Sequence, residues 1–420
     1  MASISPSELA QELLHQCLQG GSANAETWNA LVTEALHPDP ERAAPASHAL
    51  FSILVEGLAD QFEPRLCDVY AEMFAGVLAM VVPEMDAGSL MARRRRLRHV
   101  RPFKRDAGLV RRVFVLSRVT LGADVAVTSV LLDAVKKRFP HARIVFVGPR
   151  KNWELFAADP RIEHAPVAYN RQATLRERLE VWRPLSEIVS APASITVDPD
   201  SRLTQLGLLP VGREEDYFLF ESRSYGGNGS EPLPALARRW AAETFEVEDA
   251  TPYVAPEEAA GVMEHPPIAV SFGVGENPRK RIADPFEGEV LKLLTGSGFP
   301  VWVDKGAGGA EAERVQRAID ECGAPTGHIR VWEGPFAPFA ALIAKSALYV
   351  GYDSAGQHVA AACGTPLISV FAGYASDRMF QRWRPSGPGR ISVLKVVDPD
   401  PHKTLEQFAA LLHSFAGSSS

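Results

Sequence analysis

Cysteine is scarce. The chain has four in 420 residues, Cys17, Cys67, Cys322 and Cys363, and none sits in a C-x-x-C pair. That leaves zinc ribbons and dithiol redox motifs without support, and the scattered usage suits a reducing cytosol. A long apolar run is also missing. Residues 73–82, the longest apolar stretch near the N-terminus, contain Gly76 and fall well short of a bilayer-spanning helix of about 20 residues. The N-terminal residues are polar and amphipathic, without the apolar core of a signal peptide, so a cytoplasmic protein is expected. Nor is there a basic excess. Lys and Arg total 44 against 51 Asp and Glu, a net charge of −7, which disfavours a chain built to coat nucleic acid. What is present is ordinary globular material, 46% hydrophobic and 23% charged, long enough for two or three domains.

Residues 1–90 read as wholly helical. Ser5-Pro6-Ser7-Glu8 is a helix start, and Leu9, Leu13, Leu14 and Cys17 follow at helical spacing. A second helix around Trp28, Leu31, Val32 and Ala35 stops at His37-Pro38-Asp39-Pro40, and residues 50–59 and 66–82 suggest two more. Residues 93–105 follow, with eight Arg or Lys among thirteen. Three readings stand: a solvated linker or helix end pairing with acidic surface, a patch docking on anionic lipid headgroups at the inner face of the membrane, or a nucleic-acid contact.

The pattern changes after Arg112. Val113-Phe114-Val115-Leu116 is a buried-strand run, residues 125–139 form an amphipathic helix, and Arg143-Ile144-Val145-Phe146-Val147 is a second strand. Strand, helix and strand make a βαβ unit and imply a parallel sheet. Ile195-Thr196-Val197 and Tyr217-Phe218-Leu219-Phe220 extend it. The grammar repeats after a proline-rich linker at residues 250–267. Strands are expected at 268–272, 301–303, 329–332, 348–351 and 367–371, alternating with helices. The expected fold is therefore α/β, with two doubly wound parallel-sheet, Rossmann-like domains facing a cleft behind an all-helical N-terminal domain. The expected boundaries are 1–105, 106–250 and 251–420. Such a cleft binds ligands at the strand C-termini.

The chemistry concentrates at residues 349–373. A strand ends at Gly351, and Asp353-Ser354-Ala355-Gly356-Gln357 leads into a helix of small residues. Free N–H groups at a helix start favour an anion; Gly356 lets backbone come close, and Ser354 can donate to a phosphate. Asp353, Ser354, His358, Ala361, Ala362, Gly364, Pro366, Phe371 and Gly373 resemble the heptosyltransferase family of glycosyltransferases, in which this stretch runs D-S/T-G-x-x-H-x-x-A-A-x-G-x-P and then a strand ending in F-G. Ala355 stands where the family has Gly. Residues 117–140 resemble its first strand, Gly-Asp loop and first helix, with Ala123 inserted between Gly122 and Asp124. Residues 272–282 are similar to its glycine turn and basic segment, offering Lys280 and Arg281.

The resemblance implies a metal-independent, inverting transfer of a heptose-like sugar from an ADP-linked donor to a glycan or lipopolysaccharide-type acceptor, with no cofactor. It implies Asp124 as catalytic base, which could equally cap its helix. It implies Lys280, Arg281, Asp353, Ser354, Ala355, Gly356 and His358 on the donor side. Asp198, Asp200 and Arg202 follow a strand and either line the acceptor side or form a turn. Residues 221–227, Arg378, Arg382 and Trp383 are further candidates. The D-x-D pair Asp198-Pro199-Asp200 is read with the acceptor-side or turn segment and not as a metal motif. Two rival classes remain open: a nucleotide-sugar epimerase of similar two-domain fold, and a nucleotide-sugar-binding protein that has lost catalysis.

Overall fold

A computed structural model describes residues 4–21, 23–257, 265–275, 277–306, 308–325 and 327–416. Much of the proline-rich linker, residues 258–264, and Glu276 of the glycine turn lie outside the described residues.

The N-terminal region is helical, with helices Pro6–Leu18, Ala25–Ala35, Pro40–His48, Glu56–Ala59, Pro64–Val81 and Ala87–Arg98. Their starts follow from local chemistry. Ser5 accepts the Glu8 N–H while the Glu8 carboxylate returns to Ser5, and Asn24, Asp39 and Asp86 cap three further helices. The His37-Pro38-Asp39-Pro40 stop is also a start, since Pro40 opens the third helix. The wide π-helical turn Ala49–Val55 links it to the fourth. Leu13, Leu31, Leu54, Tyr70, Phe74 and Leu78 form a core that runs on into Leu175, Leu179, Leu206, Leu208 and Leu209. The bundle is thus seated on the next domain through a shared core.

The first sheet holds β1 (Arg112–Leu116), β2 (Arg143–Gly148), β3 (Ile162–Pro166), β4 (Ser194–Asp198) and β5 (Tyr217–Leu219), in the order β3-β2-β1-β4-β5. The second holds β6 (Ile268–Ser271), β7 (Val301–Asp304), β8 (Ile329–Trp332), β9 (Leu348–Tyr352), β10 (Leu367–Phe371) and β11 (Ile391–Lys395), in the order β11-β10-β9-β6-β7-β8. All pairings are parallel. The doubly wound α/β architecture expected from the sequence is therefore present twice, behind the helical region. Strand order reverses between β1 and β4 in one sheet and between β6 and β9 in the other, so the loops after these four strands line each crevice. One apolar core joins Val115, Val125 and Leu131 of the first domain to Phe339, Tyr349, Val359 and Met379 of the second.

The basic run is a fastener. Its first half lies in helix Ala87–Arg98, and its charges are met by protein. Arg94 is 1% exposed and pairs with Glu221, just past β5. Arg98 pairs with Glu221 at 2.6 Å, and Arg96 with Glu214 at 2.7 Å. Arg93 donates to the Gly207 carbonyl at 3.2 Å, and Arg101 to the carbonyls of Glu214 and Tyr217. These five arginines are committed, as the reading of a helix end pairing with acidic surface expects. Among the described residues no helix is long and apolar enough to cross a membrane.

Glu221→Gln should strand the Arg94 charge and lower the unfolding free energy by about 3 kcal/mol or more. Arg95→Ala, on the exposed face of the same helix, should shift it by less than about 0.5 kcal/mol. Chemical denaturation of both variants checks the pair, and equal, small effects would contradict the fastening role.

Candidate functional site

β9 delivers the chain to the crevice at Tyr352, and Asp353 and Ser354 then precede helix Ala355–Cys363. Ser354 makes no side-chain cap, so nothing from it competes for the open N–H groups of the first turn. Asp353 is nearly buried. It pairs with Lys280 Nζ at 2.7 Å and accepts from the Gln357 amide, while Lys280 also donates to the Asp353 carbonyl at 3.2 Å. Lys280 comes from the single turn Pro278–Lys280, which Asn277 caps. A cation and an uncapped helix start therefore share one corner of the second domain.

Arg281 is drawn elsewhere. It pairs with Asp284 and with Glu287 at 3.2 Å, and Glu287 also receives Arg314 and the Tyr352 hydroxyl at 3.0 Å. The missing side chain of Gly356 makes room for the Tyr349 ring, which lies where a Cβ would stand. Its close approach is to its own domain. Gly122 serves the junction between domains, since a Cβ there would lie 3.3 Å from Ala355 Cα and His358 Cδ2. His358 is buried, and desolvation drives its imidazole down to about 4, with Asp353 opposing and Lys280 assisting.

The first domain faces this corner with the loop after β1 and the helix behind it. Residues Leu121–Ala123 begin an α-helix, Asp124–Thr128 form a π-turn, and the α-helix resumes at Ser129–Arg138. A π-turn takes one residue more than an α-turn, and Ala123 is the residue by which this motif exceeds the family's. Asp124 consequently points inward. It is fully buried and accepts from Ser117 Oγ at 2.6 Å, the Arg118 N–H at 2.7 Å, Thr128 Oγ1 at 2.6 Å and Asn152 Nδ2 at 2.6 Å. Four donors fill a carboxylate's lone-pair sites. Burial raises its pKa against their pull. In this arrangement Asp124 has no lone pair left for an acceptor hydroxyl.

Asp198 is the staple of a turn: it accepts the Ser201 N–H at 2.6 Å and the hydroxyls of Thr204 and Tyr217. Burial pushes it up to about 6. Asp200, in left-handed backbone at φ 68°, pairs with Arg223 at 2.9 Å. Arg202 pairs with Glu56 of the helical region at 2.9 Å. Arg118 is buried and donates to the Pro199 carbonyl at 2.6 Å and to Ser222 Oγ. Desolvation lowers it to about 10.

The three regions converge on Trp383. Its ring lies 5.9 Å from His358, 6.2 Å from Phe62 of the helical region and 5.9 Å from the Arg118 guanidinium. Arg378 donates to the Phe62 carbonyl at 3.0 Å, and Arg382 to the carbonyls of Glu231 and Gly227 at 3.0 and 2.9 Å. Sequence reasoning missed Glu56, Asp60, Phe62 and Arg118 at this junction. Arg118 had a signal, as a charge two residues past an apolar strand. The others carry none, because their helices look like any polar helix surface.

Residues 237–399 match the family model of glycosyltransferase family 9 (heptosyltransferase). A curated relative, lipopolysaccharide heptosyltransferase 3 of Escherichia coli, is 34% identical over 96 residues, 23% of this chain and 27% of that protein. The chain thus spans about a quarter of that relative's length. Among solved structures, a family 9 glycosyl transferase from Veillonella parvula aligns with TM-score 0.51 at 18% identity, covering 69% of this chain and 88% of its own. E. coli ADP-heptose lipopolysaccharide heptosyltransferase II aligns with TM-score 0.50 at 19% identity, over 74% and 100%. An E. coli heptosyltransferase solved with ADP gives TM-score 0.51 at 15% identity, over 71% and 99%. These likenesses establish the fold. Lys280, Asp353, Ser354 and His358 fall inside the family 9 match; Asp124, Asp198, Asp200 and Arg202 precede it.

Asp124→Ala should leave four buried donors unpaired and destabilise the chain by more than about 3 kcal/mol; a melting temperature close to wild type would contradict that structural role. His358 should stay neutral from pH 8 to about 4. The unfolded chain, protonating near 6.5, then gains its proton first, so this group's contribution to stability is complete above 6.5 and is lost as pH falls toward 4. Ring titration by NMR checks it, and a midpoint at or above 6 would refute it.

Proposed function

We propose that this chain is a glycosyltransferase that moves a heptose-like sugar from an ADP-linked donor to a glycan or lipopolysaccharide-type acceptor, inverting the anomeric centre without a metal. The observation that carries this is the Lys280–Asp353 pair at the uncapped start of helix Ala355–Cys363, inside the family 9 match and at the switch point of the second sheet.

The chemistry follows from the charges. A nucleoside diphosphate leaving group develops negative charge as the glycosidic bond breaks. Preoriented N–H groups and a cation placed where that charge grows stabilise the transition state. The N–H groups of Ala355 and Gly356, the Ser354 hydroxyl and Lys280 form such a set, with Asp353 holding the Lys280 ammonium until the diphosphate takes it. Gln357 steadies Asp353 from the second turn. Arg281 acts one step back, bracing the segment through Glu287. Acceptor binding falls to the other side, where Arg118, Asp200, Arg202 and Arg223 gather at the ends of β1 and β4. The closeness of Gly122 to His358 brings the two sides together, which is what in-line transfer needs.

One observation favours a second reading, a nucleotide-sugar-binding protein without transfer. Ala123 follows Gly122 where the family has its Asp, and the displaced Asp124 is saturated with donors. Calorimetry with ADP, UDP and GDP tests the donor site common to both readings. ADP should bind in preference, and Lys280→Ala should weaken it about tenfold or more. Equal ADP affinity in that variant would remove Lys280 from the diphosphate site.

A further inference from the structure

We propose that Asp60, delivered by the N-terminal helical region, is the general base that deprotonates the acceptor hydroxyl. This rests on reading the cleft as a glycosyltransferase site.

Three observations lead there. The first is position. Asp60 ends helix Glu56–Ala59, and the next residues are clasped against the family 9 domain. Phe62 sits in left-handed backbone at φ 52°, a conformation rare for a bulky residue. Its ring is fully buried near Trp383, and its carbonyl is held by Arg378. This clasp fixes the chain two residues beyond Asp60 at the point where the three regions meet.

The second is charge. The groups acting on Asp60 are Arg223, Glu56, Arg202 and Lys280. Arg202 and Arg223 belong to the acceptor side, and Lys280 to the donor corner. The geometry of its neighbours places it between the two halves of the cleft: Glu56, one turn earlier, pairs with Arg202 at 2.9 Å, and Phe62, two residues later, packs against Trp383 beside His358. A base needs that place, because the hydroxyl it activates must be within reach of the anomeric carbon.

The third is availability. Each other carboxylate at this junction is committed: Asp124 to four donors, Asp198 to its turn, Asp200 to Arg223, Glu56 to Arg171 and Arg202, Asp353 to Lys280, and Glu221 to Arg94 and Arg98. Among the described residues, the Asp60 side chain has no hydrogen bond and no ion pair, and the residue is half-buried, so its carboxylate is left without a protein partner. Burial raises its pKa; Glu56 adds to the rise, while Arg223, Arg202 and Lys280 oppose it. A carboxylate tuned upward is a better proton acceptor.

The step balances simply. The acceptor oxygen attacks the anomeric carbon as its proton passes to an Asp60 oxygen. The bond from the anomeric carbon to the diphosphate oxygen breaks on the opposite face, and ADP leaves with that electron pair, its charge met by Lys280 and the helix N–H groups.

The test uses the full chain, ADP-heptose, and either water or deacylated lipopolysaccharide core as acceptor, with released ADP as the readout. Asp60→Asn should lower ADP release about 100-fold or more while the Kd for ADP changes less than about twofold. Asp60→Glu should recover part of the rate. The acidic limb of the wild-type rate against pH should vanish from the residual rate of Asp60→Asn. Added formate should raise the rate of Asp60→Ala, a variant that also serves if the Asn form folds poorly. Unchanged release in Asp60→Asn, a loss of rate matched by a loss of ADP affinity, or no response of Asp60→Ala to formate would each overturn the assignment. Wild type that binds ADP but releases none would overturn transfer and Asp60 together, leaving the binding reading. Wild type that fails to bind ADP would remove the donor site as well.

Discussion

Glu221 receives both Arg94 and Arg98 at the end of the first sheet, and the cleft is arranged around that junction. The Arg94 guanidinium and the Glu221 carboxylate, both withdrawn from water, are stable only while they satisfy one another, and the partly exposed Arg98 reinforces the pair. The pairing therefore fixes the end of helix Ala87–Arg98 against β5 and, with the shared leucine core, seats the helical bundle above the strand ends. From that seat Glu56 reaches Arg202, Phe62 reaches Trp383, and Asp60 comes into the field of Lys280. The N-terminal region is in this way a wall of the crevice.

A second constraint is one residue long. Ala123 lengthens the stretch between β1 and its helix, and the chain absorbs it as a π-turn without disturbing the helix beyond. The side chain of Asp124 turns into the core and gathers four donors, among them the Arg118 N–H. Asp124 is thereby the pin of the loop that carries Arg118. With its oxygens taken by four donors, an unpartnered carboxylate brought by the helical bundle becomes consequential.

The sequence carried the architecture well, because buried parallel strands are written as apolar runs. The strands flanking both switch points, β1, β4, β6 and β9, were legible for that reason, and with them the place of the site. The edge strands β3 and β11 were not, since their residues are half-exposed and include His164, Pro166 and Lys395. The segment proposed to meet the donor was legible because its residues are local: Asp353, Ser354 and the small-residue helix are contiguous. Side-chain partners were not. Arg281 was indistinguishable from Lys280 by position, yet Glu287 claims it. Asp198 was open between acceptor ligand and turn residue, and its partners make it the latter. The arginine run was legible as a helix end pairing with acidic surface, but its partners were not, because Asp68, Glu214 and Glu221 lie far along the chain in either direction. Asp60 has no sequence signature for the same reason: its surroundings are assembled from three separate regions.

The central claim is that the helical region forms part of the ligand site. Hydrogen–deuterium exchange of the full chain with and without saturating ADP-heptose tests it most directly. The account predicts added protection in residues 278–282 and 353–358 together with residues 56–63. Protection confined to the two C-terminal segments, with residues 56–63 unchanged, would contradict it.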